Sequence, residues 1–172
     1  MRKTSKSVYM LCLAALFVAL DIVFTRIIVI PYIANVRVSP QFLSYGLAGW
    51  LLGPWWAMAV AAVGDVLGVL VNVNGAFVNP LITLIAAGKG LIYGLLLYKK
   101  PPHMLRALLA VAIAEIGFNL GLNSLALVPI YGLSWFDLVI MRAPVILLSV
   151  PVYGALLFAV QKGLALAKVR EA

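Results

Sequence analysis

The sequence is poor in charged side chains. Lysine, arginine, aspartate and glutamate together make up 10% of its 172 residues, whereas soluble globular proteins contain about 25%. Apolar residues make up 65%, which excludes a soluble domain and an intrinsically disordered chain. The long apolar runs lack the alternation of polar and apolar residues that a transmembrane β-barrel needs. The composition therefore predicts an all-α membrane protein.

Cysteine and histidine are almost absent. Each occurs once, as Cys12 in an apolar run and as His103 in a basic loop. One cysteine cannot form an intrachain disulfide, and one histidine cannot supply a zinc site or histidine-based proteolysis. Gly88-Lys89 resembles the end of a phosphate-binding loop, but Thr83 and Gly90 replace the glycine and the Ser/Thr that this loop requires. We expect no metal, no cofactor and no enzymatic activity.

Prolines and turn residues divide the apolar sequence into six predicted helices. A membrane-spanning helix takes about 20 apolar residues, so six helices leave about 50 residues for loops. The first apolar segment is too long for a signal peptide and contains Asp21 and Arg26, so it is predicted to be a transmembrane helix. We expect a compact bundle in a single domain, residues 1–172. The predicted helices are Val8–Ile30, Phe42–Leu52, Trp55–Val71, Pro80–Tyr98, Leu105–Val128 and Phe136–Leu166, with a polar loop over Pro31–Gln41.

The basic residues are concentrated in three clusters. Thirteen lysines and arginines against five acidic residues give a net charge of +8. Six helices would bring all three clusters to one side of the membrane, and the positive-inside rule makes that side cytoplasmic. Aromatic residues are not interleaved with them, which argues against a nucleic-acid partner. We expect a multi-pass protein of the bacterial cytoplasmic membrane, in contact with the lipid bilayer, with both termini in the cytoplasm. The clusters are Arg2, Lys3 and Lys6; Lys99, Lys100 and Arg106; and Lys162, Lys168 and Arg170.

Ionisable residues inside the predicted helices indicate either a function or an ion pair. Each costs about 2.5–3.5 kcal/mol at the middle of a membrane helix. Lys89 lies midway along the fourth helix, too deep to extend its amine to the membrane surface, and Glu115 and Asp65 are its candidate partners. Lys89 is thus predicted either to bind a ligand or to form a structural ion pair.

Further polar and aromatic residues gather toward the predicted outer side. Arg26 and Arg142 lie near the outer ends of their helices, and Asn119 and Asn123 share a helix face because they are four residues apart. With Lys89, Tyr131 and Trp135, and covered by loops over 35–41 and 131–135, they predict an outward-facing cup for an anionic, ring-bearing small molecule. Asn72, Asn74 and Asn79 lie in another outer loop, and Trp50, Trp55 and Trp56 are equally typical of an interfacial belt.

Several short motifs together resemble those of a known family, the substrate-binding S components of energy-coupling factor (ECF) vitamin transporters. The resemblance covers nearly the whole chain, and the final motifs look like those of the folate-specific branch. The motifs are Ala15-Leu-Phe-Val-Ala19, Phe24-Thr-Arg26, Ala48-Gly-Trp-Leu-Leu-Gly-Pro54, Gly64-Asp65-Val-Leu-Gly68, Gly90-Leu-Ile-Tyr-Gly94, Asn119-Leu-Gly-Leu-Asn123, Tyr131-Gly132 and Arg142.

The resemblance implies that the chain captures a vitamin, with folate preferred, while a separate transmembrane coupling subunit and two ATPase subunits supply the energy. It also implies that the coupling subunit docks at Ala15 and Ala19, because small side chains let another helix approach closely. Lys89 and the segments Gly75–Pro80 and 142–145 depart from the folate pattern, which leaves pantothenate open. A small secondary transporter working as a dimer is the alternative of another class, although the sequence lacks an internal repeat.

Overall fold

The structure is a computed structural model that describes residues 2–27, 30–33, 36–71 and 79–167, without the side chains of residues 2–6 and 30–38. Its elements form a helical bundle with one short hairpin. Five helical segments of 18 residues or more are apolar enough to cross a membrane. The elements are α1 (Arg2–Arg26), β1 (Ile30–Ile33), β2 (Val36–Val38), α2 (Gln41–Leu52), α3 (Pro54–Val71), α4 (Pro80–Leu97), α5 (Met104–Ala112), a π-helical segment (Ile113–Leu122), α6 (Asn123–Tyr131) and α7 (Trp135–Leu166).

The connection between the first two helices differs from the sequence prediction. Helix α1 ends at Arg26 rather than at Ile30, and the predicted loop contains an antiparallel hairpin in which Ile30 pairs with Val38 and Ile33 with Val36. Ile30 precedes Pro31, and a residue before proline is disfavoured in helical conformation and favoured in an extended one. The prediction that the first helix continues to Ile30 was therefore wrong, and the segment predicted as a loop contains short strands.

The predicted fifth helix is present, but it is not a regular α-helix. Its ten central residues are π-helical, and the backbone amide of Asn123 donates to the carbonyl of Phe118, five residues earlier. Such π-helical geometry is rare and is found most often at functional sites. Hydrophobic periodicity does not distinguish an α-helix from a π-helix over so few turns, so the π-helical segment could not be predicted from the sequence pattern.

Contacts between helices fix their directions. Asp21 lies against Gly64 and Arg26 against Gly68, so α1 and α3 run parallel. Trp50 Nε1 donates to the carbonyl of Lys100 at 3.1 Å, which brings the end of α2 to the connection between α4 and α5.

Helix α7 runs antiparallel to the α5–α6 helix, since Arg142 contacts Ser124 while Gly154 contacts Leu108. The N-terminal end of α1 and the C-terminal end of α7 consequently lie at the same end of the bundle. That this end faces the cytoplasm remains a prediction from the basic clusters.

Helix α2 is short and is held in the bundle by close backbone contacts. Its 12 residues rise about 18 Å, less than the roughly 30 Å of a bilayer core. A side chain at Gly49 would lie 2.7 Å from the amide nitrogen of Gly94, and one at Gly94 would lie 2.6 Å from the nitrogen of Pro54. The absence of side chains lets α2, α3 and α4 pack backbone to backbone, which is how helices associate without a hydrophobic drive in lipid.

We expect Gly94→Ala to destabilise the protein. The added methyl group would meet the backbone of Pro54, which cannot move aside as a flexible side chain can. Overpacking of this kind costs about 1–3 kcal/mol, which should appear as a lower Tm of the purified protein in detergent. The matched control is Gly163→Ala, whose methyl group has no atom within 4 Å. A Tm for Gly94→Ala equal to that of the control would contradict the close packing of α4 on α3.

Candidate functional site

A pocket lies between the N-terminal end of α2, the middle of α4, the π-helical segment and α7. Polar groups of every kind line it: a cation, a carboxylate, two amides and several hydroxyls, together with aromatic and aliphatic side chains. Buried polar atoms in an apolar bundle are costly unless they have partners, so this concentration indicates a binding site. The lining residues are Ser39, Gln41, Phe42, Lys89, Glu115, Asn119, Val145, Ile146, Ser149 and Tyr153.

A hydrogen-bonded network centred on Asn119 forms one wall of the pocket. Asn119 Nδ2 donates to Glu115 Oε2 at 2.7 Å, and its Oδ1 accepts from Asn123 Nδ2 at 3.2 Å and from Arg142 Nη2 at 3.1 Å. Arg142 is 3% exposed and also donates from Nη1 to Ser124 Oγ at 2.7 Å. Two donors to Oδ1 leave the amide nitrogen directed at Glu115. The network therefore fixes the orientation of both groups.

Lys89 and Glu115 face the same pocket without forming a direct ion pair in the described part of the chain. Lys89 is also close enough to Asp21 on α1 for an electrostatic interaction. Of the two interpretations of Lys89 left open by the sequence, the structural ion pair with Glu115 is absent here. The amine is a cation on the pocket wall.

A second group of charges lies between α1 and α3. Asp21 is fully buried, and neither of its carboxylate oxygens has a hydrogen-bond partner among the described residues. Its charge interacts with Asp65, Lys89 and Arg26. A side chain at Gly64 would collide with the Asp21 carboxylate, and one at Gly68 would lie 3.1 Å from Arg26 Nε. The two glycines of the Gly64–Gly68 motif thus make room for the charged end of α1. Thr83 Oγ1 donates to Asp65 Oδ2 at 2.7 Å and links α4 to the same group.

Two aromatic rings also line the pocket. Phe42 on α2 and Tyr153 on α7 are stacked, with ring centroids 4.1 Å apart and an interplanar angle of 15°. Gln41 Nε2 donates to Tyr45 Oη at 2.5 Å, which ties the first turn of α2 together beside this pair. A planar ligand in the pocket would meet an aromatic surface.

The residues predicted from sequence occupy three zones. Lys89 and Asn119 line the pocket. Asn123 and Arg142 lie behind Asn119 and bond to it, while Arg26 is at the α1–α3 contact. The two aromatic residues of the outer loop, Tyr131 and Trp135, are 40% and 37% exposed, and Trp135 Nε1 donates to the carbonyl of Gly121 at 3.2 Å. Asn72, Asn74 and the side chains of 35–38 lie outside the described residues.

Sequence reasoning missed the contribution of α7 and of the first turn of α2. Arg142 is predicted as a site residue because of its charge. Val145, Ser149 and Tyr153 follow it by three, seven and eleven residues, so they lie on the same face of the helix. The polar side chains of Ser149 and Tyr153 on that face of an apolar helix were the sequence signal that α7 contributes to the pocket. Gln41 and Phe42 gave none, because only the fold brings the N-terminal end of α2 to the centre of the bundle.

Ala15 and Ala19 lie on the surface of α1. Both are exposed, in a stripe with Val8, Leu11 and Cys12, while Ala14 and Phe17 on the other face are buried in the core. The two alanines therefore do not pack against the protein's own helices. The exposed stripe offers small side chains on the side of α1 away from the pocket.

Comparison with known proteins identifies the family. A family model described as "ECF-type riboflavin transporter, S component" matches residues 5–152. The chain belongs to the S components of ECF-type transporters. It is a multi-pass membrane protein, with five helical segments in the described part of the chain that are long and apolar enough to span a bilayer. The resemblance drawn from its short motifs is confirmed.

Two relatives and one solved structure are similar to this S component. It is 35% identical over 125 residues to the folate transporter FolT of Clostridium novyi (strain NT), covering 73% of this chain and 69% of the relative. It is 34% identical over 120 residues to FolT of Leuconostoc mesenteroides subsp. mesenteroides, covering 69% and 63%. A crystal structure of FolT bound with folic acid matches with a TM-score of 0.82 and 27% identity over 89% of this chain and 92% of that one.

We expect Ser124 and Arg142 to be energetically coupled in this S component. Ser124→Ala removes a hydrogen bond to a buried charged group, which contributes about 1.5–3 kcal/mol, and should lower Tm. In an Arg142→Met background the same change should have little further effect, because the donor is already gone.

The control for this cycle is Ser149→Ala, since the Ser149 hydroxyl donates to its own helix at Ile146 O, 2.8 Å away. Its effect on thermal unfolding, followed by circular dichroism, should be the same in both backgrounds. Additive losses for Ser124→Ala and Arg142→Met would show that the Arg142–Ser124 bond does not contribute.

Proposed function

We propose that the protein is the folate-binding S component of an ATP-driven ECF importer in the bacterial cytoplasmic membrane. The observation that carries this proposal is the composition of the pocket: Lys89, the Glu115–Asn119 pair and the Phe42–Tyr153 stack meet in one cavity. Folate carries carboxylates at one end, a benzoyl ring in the middle and a pterin ring with both donors and acceptors at the other. Each chemical class of lining residue has a counterpart in that ligand.

The chemistry of the pocket favours folate over riboflavin and pantothenate. Riboflavin, for which the matching family model is named, has no carboxylate to pair with Lys89. Pantothenate has a carboxylate but no ring to pack on the stacked Phe42 and Tyr153. The two FolT relatives and the folic acid complex support the same ligand.

Substrate entry requires the pocket to widen. The space open to the centre of a water-sized molecule is about 30 Å³, enough for one or two water molecules and much less than a folate needs. Ser39 lies in the segment that joins the hairpin to α2, and Gln41 is the first residue of α2, so this part of the pocket wall lies outside the long helices. We infer that it moves away from α7 when the vitamin enters.

We expect Lys89→Ala and Asn119→Ala to weaken binding of folic acid. Each removes a polar group from the pocket wall, and loss of a hydrogen bond involving a charged group costs about 1.5–3 kcal/mol, or tenfold or more in Kd. Isothermal titration calorimetry of the purified protein with folic acid measures this directly. Lys89→Arg, which keeps the charge, should retain more affinity than Lys89→Ala.

The matched control is Lys162→Ala, which removes an exposed lysine near the far end of α7 and should leave Kd unchanged. Riboflavin and pantothenate serve as comparison ligands in the same titration. Failure of the unaltered protein to bind folic acid would reject the folate assignment, and equal binding by wild type and both pocket variants would reject the site.

We also propose that the exposed stripe bearing Ala15 and Ala19 docks the transmembrane coupling subunit, while two separate ATPase subunits hydrolyse ATP. Both alanines are at the surface, and methyl-sized side chains allow the close van der Waals contact on which helix association in lipid depends. The S component itself then performs no catalysis. Its task is capture, on the pocket side of the bundle.

We expect the double variant Ala15→Trp/Ala19→Trp to lose folate uptake but not folate binding. The two indole rings would keep a partner helix away, whereas the pocket is lined by other elements. Uptake of labelled folate is measured in cells that also produce the coupling and ATPase subunits, and binding is measured on the purified variant. Leu148→Trp, at a position on α7 that is 74% exposed, controls for a bulky residue facing lipid. Normal uptake by the double variant would place docking elsewhere.

A further inference from the structure

Glu115 is an unexpected residue in a pocket for an anionic vitamin. It is 8% exposed, and a buried carboxylate is costly unless it is hydrogen-bonded. It would also repel the carboxylates of folate. A negative charge at this position is therefore favourable only if it faces a part of the ligand that donates hydrogen bonds.

The surroundings of Glu115 leave it able to accept further hydrogen bonds. Its Oε2 accepts from Asn119 Nδ2 at 2.7 Å, while Oε1 has no hydrogen bond with any residue that the structure describes. Asn119 cannot turn away, because its own oxygen is held by Asn123 and Arg142. An ionised carboxylate has about four acceptor sites, so one bond leaves most of them for a ligand.

A second buried polar group without a partner lies in the vicinity of Glu115. The hydroxyl of Tyr93 is buried without a hydrogen-bond partner in the described part of the chain, and the residue is 1% exposed. Tyr93 is within electrostatic range of Glu115 and of Tyr153, which lines the pocket. Glu115 and Tyr153 therefore line the same pocket as Lys89, and Tyr93 places a further buried hydroxyl within electrostatic range of Glu115.

We propose that Glu115 recognises the pterin end of folate and selects pterin over flavin rings. A 2-amino-4-oxopteridine presents the 2-amino group and the neighbouring N3–H as two parallel donors, and a carboxylate accepts such a pair as it accepts an arginine fork. The corresponding edge of a flavin has a carbonyl on each side of its N3–H, so carboxylate and carbonyl oxygens would face one another. Glu115 is thereby a specificity-determining residue. This inference rests on the proposed folate-binding function.

The test compares two ligands, folic acid and 2-desaminofolic acid, which lacks only the 2-amino group. Wild-type protein should bind folic acid about 10- to 100-fold more tightly than the desamino analogue, because one hydrogen bond to a charged acceptor is lost. In Glu115→Gln the amide no longer offers two acceptors, so folic acid affinity should fall by a similar factor and the ratio of the two Kd values should approach one. Asp137→Asn, which neutralises an exposed carboxylate at the start of α7, should preserve both Kd values.

Each outcome of the calorimetric comparison is decisive. A Glu115→Gln variant that keeps the wild-type ratio, whether or not its overall affinity falls, would mean that Glu115 acts only through the position of Asn119. Equal binding of the two ligands by wild type would overturn the inference even if the variant did not fold. Absence of folic acid binding by wild type would instead reject the proposed function, on which the inference depends.

Discussion

The fold depends on hydrogen bonds that offset the cost of placing polar groups inside an apolar bundle. The side-chain carbonyl of Asn119 is the centre of the main group of these bonds. Two donors, from Asn123 and the guanidinium of Arg142, converge on this one oxygen. The amide nitrogen must then point at Glu115, and Arg142 reaches Ser124 with its second nitrogen. One side chain thus joins the π-helical segment, α6 and α7 and orients the carboxylate on the pocket wall. Two buried atoms of this network, Asn123 Oδ1 and Arg142 Nε, have no hydrogen-bond partner among the residues that the structure describes.

Glycine determines where the remaining charges can lie. Gly64 and Gly68 leave space for Asp21 and Arg26 between α1 and α3, and Gly49 and Gly94 let α2 approach α4 closely enough to bring its first turn to the pocket. In a lipid environment, where apolar contact with another helix has no advantage over contact with acyl chains, such close approach is the main source of helix association. The same small residues that hold the bundle together therefore decide which polar groups meet.

The pocket and the exposed face of α1 lie on different parts of the bundle. The pocket faces the inside of the bundle and is bounded by α2, α4, the π-helical segment and α7, whereas the small-residue stripe of α1 faces outward. The exposed stripe of α1 therefore shares no residue with the pocket lining. Helix α1 is linked to the elements of the pocket through its packing on α2 and α3, because Ala14 and Phe17 share one apolar cluster with Ala48 on α2 and Val60 on α3.

The sequence by itself determined the fold class, the helices and the family. Low charge, long apolar runs and turn residues locate helices because these signals are local, and short glycine and asparagine motifs sufficed for the resemblance that comparison confirmed. It also selected Lys89 and Asn119, since a polar group inside a membrane helix is conspicuous wherever the helix lies. Only the tertiary structure decided that Arg142 supports Asn119 instead of lining the pocket, that Glu115 faces the cavity unpaired with Lys89, and that Phe42 and Tyr153 stack. These facts depend on the crossing of helices distant in sequence and on a π-helical register, and neither is encoded in the pattern of a single segment.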